Sequence, residues 1–111
     1  MAGAAILVLT QMPDGASARA MARALIEARL AACVSVSAPG ESLYHWRGAI
    51  ETAEEVMVTI KTVAARYAEV EAAIRARHPY ELPEIVAVPL TDGFPPYLDW
   101  IADETRLPTA G

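Results

Sequence analysis

Two short runs are apolar almost throughout: "AILVLT" at 5–10 and "EIVAVPL" at 84–90. Side chains alternate across a strand, so Ile6 and Val8 fall on one face and Leu7 and Leu9 on the other. In the second run Ile85 and Ala87 oppose Val86 and Val88. Such strands are read as buried on both faces. Whatever sheet they join must therefore be covered on both sides.

The residues between these runs set out the other elements. "PDG" at 13–15 reads as a turn, and Asp14 or Ser17 can cap a following helix. Ala18, Met21, Ala22, Leu25 and Ile26 recur at helical spacing, while Arg19, Arg23 and Glu27 lie four apart on another face. This predicts a helix to about residue 31. "ACVSVSA" at 32–38 alternates as a second strand, and Pro39-Gly40 is expected to break it. "SLYHWRGAIETAEEVMVTIKT" predicts two strands around a turn near Arg47-Gly48. In the later one Val56, Val58 and Ile60 share a face, and Glu55, Met57, Thr59 and Lys61 share the other. Thr62 reads as the cap of a second helix with the stripe Val63, Tyr67, Val70 and Ile74. Pro79 ends that helix at or before His78. Residues 84–90 form the fourth strand. "FPPYLDWIADE" predicts a short last helix, with Pro95 or Pro96 in its first turn and Tyr97, Trp100 and Ile101 on one side. The tail "RLPTAG" is expected to fray.

The order β-α-β-β-α-β plus a C-terminal helix predicts a ferredoxin-like α/β (α+β) sandwich with an extended hairpin between its second and third strands. Residues 1–111 are read as one domain with one core. Both main helices then lie on one face of the sheet. The other apolar face needs a partner, because large apolar patches are rarely left in water. A homo-oligomer is expected, the alternative being partial cover by the final helix.

Composition narrows the function. Hydrophobic residues make up 54% and charged residues 21%, which argues against disorder. A net charge of −5 and a pI near 4.9 provide no basic footprint for nucleic acid or anionic lipid. No apolar stretch is long enough to span a bilayer, and the start lacks the positive region of a signal peptide. Cys33, the one cysteine, cannot form an internal disulfide. The chain is expected in the cytoplasm, with no nucleic-acid or membrane partner.

Several residues carry two readings each. Tyr44 and Trp46 share one hairpin face, opposite His45 and Arg47; they serve subunit packing or wall a ligand pocket. Lys61 and Glu55 share a strand face, as a structural ion pair or as part of a pocket for an anionic ligand. Cys33 is a small buried hydrophobe or a soft-metal contact, and no CxxC supports the latter. His78 and His45 match no zinc spacing. No phosphate loop or local catalytic set is present, so the chain is not read as an enzyme. "HPYELPEI" at 78–85 is a stiff helix-to-strand connector, or a pocket rim with His78 and Glu84 at its edge.

Taken in order, "RLAACVSV", "Y-x-W-x-G", "IKT", "HPYE-x-PEI" and "YLDWI" resemble the CutA family of divalent-cation tolerance proteins over about residues 6–104. The resemblance implies a ferredoxin-like homotrimer with its sheets turned inward, similar to the trimeric nitrogen-regulatory signalling proteins. It implies a role in tolerance of copper and other divalent metals, with no established enzymatic activity. It also implies a cleft between subunits lined by Tyr44, Trp46, Glu55, Lys61, Tyr80 and Glu84. The copper ligands of some members, a Cys and a His-His pair, fall here on Thr10, Arg77 and His78, so only His78 is retained as a metal candidate. Thr10 is a poor ligand for Cu(I), and Arg77 is no ligand at all. Met12 is a nearby thioether outside the motif. Weak divalent-metal contact through His78, Glu81 or Glu84 is the expectation, with no tightly bound cofactor.

Overall fold

The computed structural model describes residues 4–106. Four strands and three helices follow in the order β1 (Ala5–Met12), α1 (Gly15–Glu27), β2 (Cys33–Trp46), β3 (Ala49–Val63), α2 (Tyr67–Arg77), β4 (Val86–Pro89) and α3 (Pro95–Glu104). The sheet order is β2-β3-β1-β4, and every neighbouring pair is antiparallel. This is the ferredoxin-like arrangement expected from the element order. The "RLPTAG" expectation falls, from Leu107 onward, outside the described residues.

Register divides the sheet into two faces. Ile6, Val8, Thr10 and Met12 pair with Thr62, Ile60, Val58 and Val56, and all eight are buried. Ala18, Met21 and Leu25 of α1 and Val70 and Ile74 of α2 complete this core. Each large apolar side chain buried there contributes about 1.5–3 kcal/mol. Opposite lie Leu7, Leu9, Met57, Thr59 and Lys61, continued by Val86 and Val88 of β4. Helix α3 covers one end of that face, where Ile101 packs with Ala5 and Val63. The remainder is open: Met57, Val86 and Val88 are 43%, 47% and 43% exposed.

Helix α1 ends sooner than expected, because the chain turns at Arg29 (φ 56°). The Arg29 amide donates to the Ile26 carbonyl and the Leu30 amide to the Leu25 carbonyl, a Schellman closure that satisfies orphan helix carbonyls. Its N-terminus is capped by Asp14, whose side chain accepts from the Ser17 amide at 2.7 Å. Glycine is usual at the left-handed position. Here Arg29 is tied down through the Glu104 side chain at 3.2 Å, and its carbonyl accepts from the buried Arg66.

Pro39-Gly40 does not break the second strand. β2 runs on to Trp46, with a bulge between Val36 and Pro39. β2 is an edge strand, where a proline costs little pairing. The Ser37 hydroxyl accepts from the Met57 amide at 2.9 Å and fills the gap in the ladder.

Thr62 is not a helix cap either. It lies inside β3, where its hydroxyl donates to the Leu30 carbonyl at 2.8 Å. Val63 likewise belongs to β3, and a single 3-10 turn at Ala64–Arg66 leads into α2. β4 is shorter than expected, and β1 runs two residues further.

The two buried threonines of the helix-covered face differ. Thr62 is hydrogen bonded, whereas the buried Thr10 hydroxyl has no partner. A buried polar group without a partner is destabilising. Thr10→Val is expected to raise unfolding stability by about 1 kcal/mol, while Thr62→Val lowers it by about 1–2 kcal/mol by orphaning the Leu30 carbonyl. Urea denaturation of both variants checks the opposite signs.

Candidate functional site

The connector 78–85 is anchored by its histidine. His78 Nε2 lies 2.6 Å from the Gln11 carbonyl, which can only accept, so Nε2 carries the proton. Nδ1 then accepts from the Tyr80 amide at 3.3 Å. The two rings pack at a tilt of 55°, with centroids 4.7 Å apart. Pro79 fixes the backbone between them, and His78 is extended (φ −78°, ψ 130°) as a residue before proline should be. His78 thus ties the end of α2 to β1 and aims Tyr80.

Tyr80 points at Glu55. Burial pushes its phenol up to about 12, and hydrogen bonding and repulsion from the Glu55 carboxylate add to the effect. The charges of Tyr44 and Asp14 contribute smaller repulsions. Glu55 is only 8% exposed and forms no salt bridge among the described residues. Tyr44 and Trp46 pair with Glu51 and Ala49, which places both on the same sheet face as Glu55. The hairpin tip is linked to the connector by Arg47 and Glu81 at 2.8 Å. Both side chains are exposed, so the pair is worth under about 1 kcal/mol.

Lys61 stands apart. It lies six residues along β3 from Glu55, about 20 Å at the rise of a strand, so the expected ion pair does not form within the chain. Lys61 Nζ instead donates to the Tyr97 hydroxyl at 3.3 Å and lies 5.4 Å from that ring centroid. Tyr97 in turn packs on Trp100, with ring centroids 5.4 Å apart. The residues named from sequence therefore fall into two groups. Glu55, Tyr80 and Tyr44 gather at one end of the open face, with Trp46 further out on the hairpin. Lys61 sits at the other end beside Cys33, its cross-strand partner. Glu84 is exposed on the connector. Sequence reading missed Gln11 and Tyr97 as partners of His78 and Lys61. Gln11 acts through its carbonyl, which carries no residue-type signal.

This donor set does not fit a tightly held copper ion. Both His78 nitrogens are engaged, Thr10 and Met12 are buried under the helices, and Cys33 lies at the far end of the sheet. Among the described residues no group of three or more His, Cys, Asp or Glu is arranged to hold a metal.

The family profile described as CutA1 divalent ion tolerance protein matches residues 6–104. The chain belongs to the CutA family. It is 38% identical over 99 residues to the divalent-cation tolerance protein CutA of Thermus thermophilus, covering 89% of this chain and 96% of that one. It spans 60% of a Xenopus laevis CutA homolog and 53% of the Mus musculus CutA protein. The crystal structure of CutA from Xylella fastidiosa matches with a TM-score of 0.90 at 39% identity, covering 94% of this chain and all of that one. A structure from Archaeoglobus fulgidus, described as a periplasmic divalent cation tolerance protein, matches with a TM-score of 0.89 at 34% identity, over 92% and 99% of the two chains. Among the described residues no helix is long and apolar enough to cross a membrane.

Because burial is the leading cause of the Tyr80 shift, Glu55→Gln is expected to bring the phenol down from about 12 while leaving it above its ordinary 10.0. A group raised on folding stabilises fully below its unfolded value, and that contribution is lost as pH rises through the folded one. Between pH 10 and about 12 the wild type therefore loses stability through Tyr80, and Tyr80→Phe loses less. Absorbance titration of the phenolate and denaturation across that range check both statements.

Proposed function

We propose that this chain is a non-enzymatic, cytoplasmic divalent-cation tolerance protein that works as a homotrimer and takes its ligand in a cleft between subunits. The observation that carries this reading is the open sheet face, where Met57, Val86 and Val88 stay exposed although the register aligns them as one apolar surface. Subunits turned face to face bury it. The Glu55 side chain, in no salt bridge among the described residues, stands on the same side of β3 and supports a cleft that attracts cations.

Divalent metal, copper included, is bound weakly in this reading. The contacts are carboxylate oxygens of Glu55, Glu81 or Glu84, which hold divalent ions with little selectivity. His78 acts chiefly by holding the connector. A second reading, a small organic ligand in the same cleft in the manner of the nitrogen-regulatory trimers, is favoured by the aromatic side chains of Tyr44, Trp46 and Tyr80 beside Glu55.

Titration calorimetry with copper, wild type beside His78→Ala, tests the reading when oligomer mass is measured in the same samples. The expected outcome is a trimer whose copper binding is weak and nearly unchanged by the substitution. Stoichiometric binding that disappears in His78→Ala would show a true histidine site and overturn the weak-contact reading. A monomeric wild type would overturn the assembly itself.

A further inference from the structure

The hairpin of β2 and β3 has a second face. Tyr44 and Trp46 stand on the side of the open sheet face. By alternation Glu41, Leu43 and His45, with their cross-strand partners Glu54, Thr52 and Ile50, stand on the other. That side continues the one sealed by α1 and α2, but the sealed core reaches only Val36 and Val56 on the way to the tip. Beyond them Leu43 and Ile50 are left 65% and 71% exposed.

Charge is divided along this strip. At its base Glu41 and Glu54 lie directly opposite one another, and neither is in a salt bridge among the described residues. Like charges so placed destabilise a ladder unless a donor or cation comes between them. Near the tip stands the exposed imidazole of His45. The order from base to tip is acidic, apolar, imidazole. Turned end for end, such a strip is its own complement. A patch that meets the same patch of another copy closes as a twofold pair.

We propose that this outer face of the hairpin is a twofold contact between two copies, laid face to face with their strands reversed. Leu43 meets Leu43 near the axis, and His45 of each copy reaches the carboxylate pair of the other. A second copy matches the whole strip, since it brings an apolar pair to the apolar middle and a donor to the acidic end. A lipid surface would cover the leucine and isoleucine and leave two carboxylates against it. The strip is about 17 Å long at the rise of a strand and two strands wide. One such contact falls short of the roughly 1,000 Å² of a specific interface, so single chains do not pair through it. A trimer carries three hairpins, and three weak contacts made together reinforce one another. The proposal therefore pairs two trimers, and its valence rests on the trimeric reading above. It uses the hairpin face that Tyr44 and Trp46 leave free.

Sedimentation of the full chain over a concentration series tests it. The expected result is a passage from three chains to six as concentration rises, with Leu43→Ser/Ile50→Ser held at three. His45→Lys is expected to tighten the pairing at least about tenfold, and His45→Glu to weaken it as much. Opposite signs from two substitutions at one exposed position are not produced by a merely structural role, and equal effects of the two refute the contact. A wild type that stays at three chains up to about 1 mM, the weak end of the affinity scale, overturns the pairing and leaves the trimer standing. A wild type of one chain overturns both. If Leu43→Ser/Ile50→Ser falls to single chains, this face belongs to the trimer contact and the twofold pairing is overturned.

Discussion

The sheet of this protein is apolar on both faces, and the chain has helices enough for only one. Ile6, Val8, Val58 and Ile60 are sealed by α1 and α2. Leu7, Leu9, Met57, Val86 and Val88 face the other way, and α3 covers only the end at Ala5 and Val63. Burying the uncovered face is worth more to an assembly than any surface ion pair in the chain, since apolar area removed from water contributes roughly 25 cal/mol per Å² and exposed pairs contribute little. The site inherits this geometry. The strand residues among the candidates, Tyr44, Trp46, Glu55 and Lys61, stand on the uncovered side.

The connector 78–85 brings Tyr80 to that surface. It leaves α2 at a proline, is held to β1 by the His78 ring, and delivers Tyr80 to Glu55. A histidine with both nitrogens engaged is a structural part, and its residue type alone carries no sign of this. The hairpin carries the other aromatic candidates. Its bulge between Val36 and Pro39 lets β2 continue outward past a proline and carry Tyr44 and Trp46 beyond the helices. The extra residue is accommodated because Ser37 supplies an acceptor for the Met57 amide.

Most of the fold is legible in the order and periodicity of the residues. Alternation in "EVMVTIK" assigns Glu55, Met57 and Lys61 to one face, and the strand pairing places them there. Two local readings fail for tertiary reasons. Pro39-Gly40 looks like a strand end, but an edge strand tolerates a missing amide donor and a bulge. Thr62 looks like a helix cap, but it is buried, and the carbonyl it satisfies belongs to Leu30, distant in sequence. The candidate site is legible as a set of residues and not as an arrangement. Glu55 and Lys61 share a face, yet strand rise alone keeps them apart.

Sequence by itself determined the order of elements, the two-faced character of the strands and the family. These follow from periodicity and from motifs, which are properties of neighbours along the chain. Only the tertiary structure decided that His78 is held by Gln11 and Tyr80, that Thr10 and Met12 are shut away from any ligand, and that Lys61 turns to Tyr97. Those outcomes depend on which carbonyl or ring a folded backbone brings within about 3 Å of a side chain. Hydrogen bonding at that range is set by the packing of distant segments, which no local pattern records.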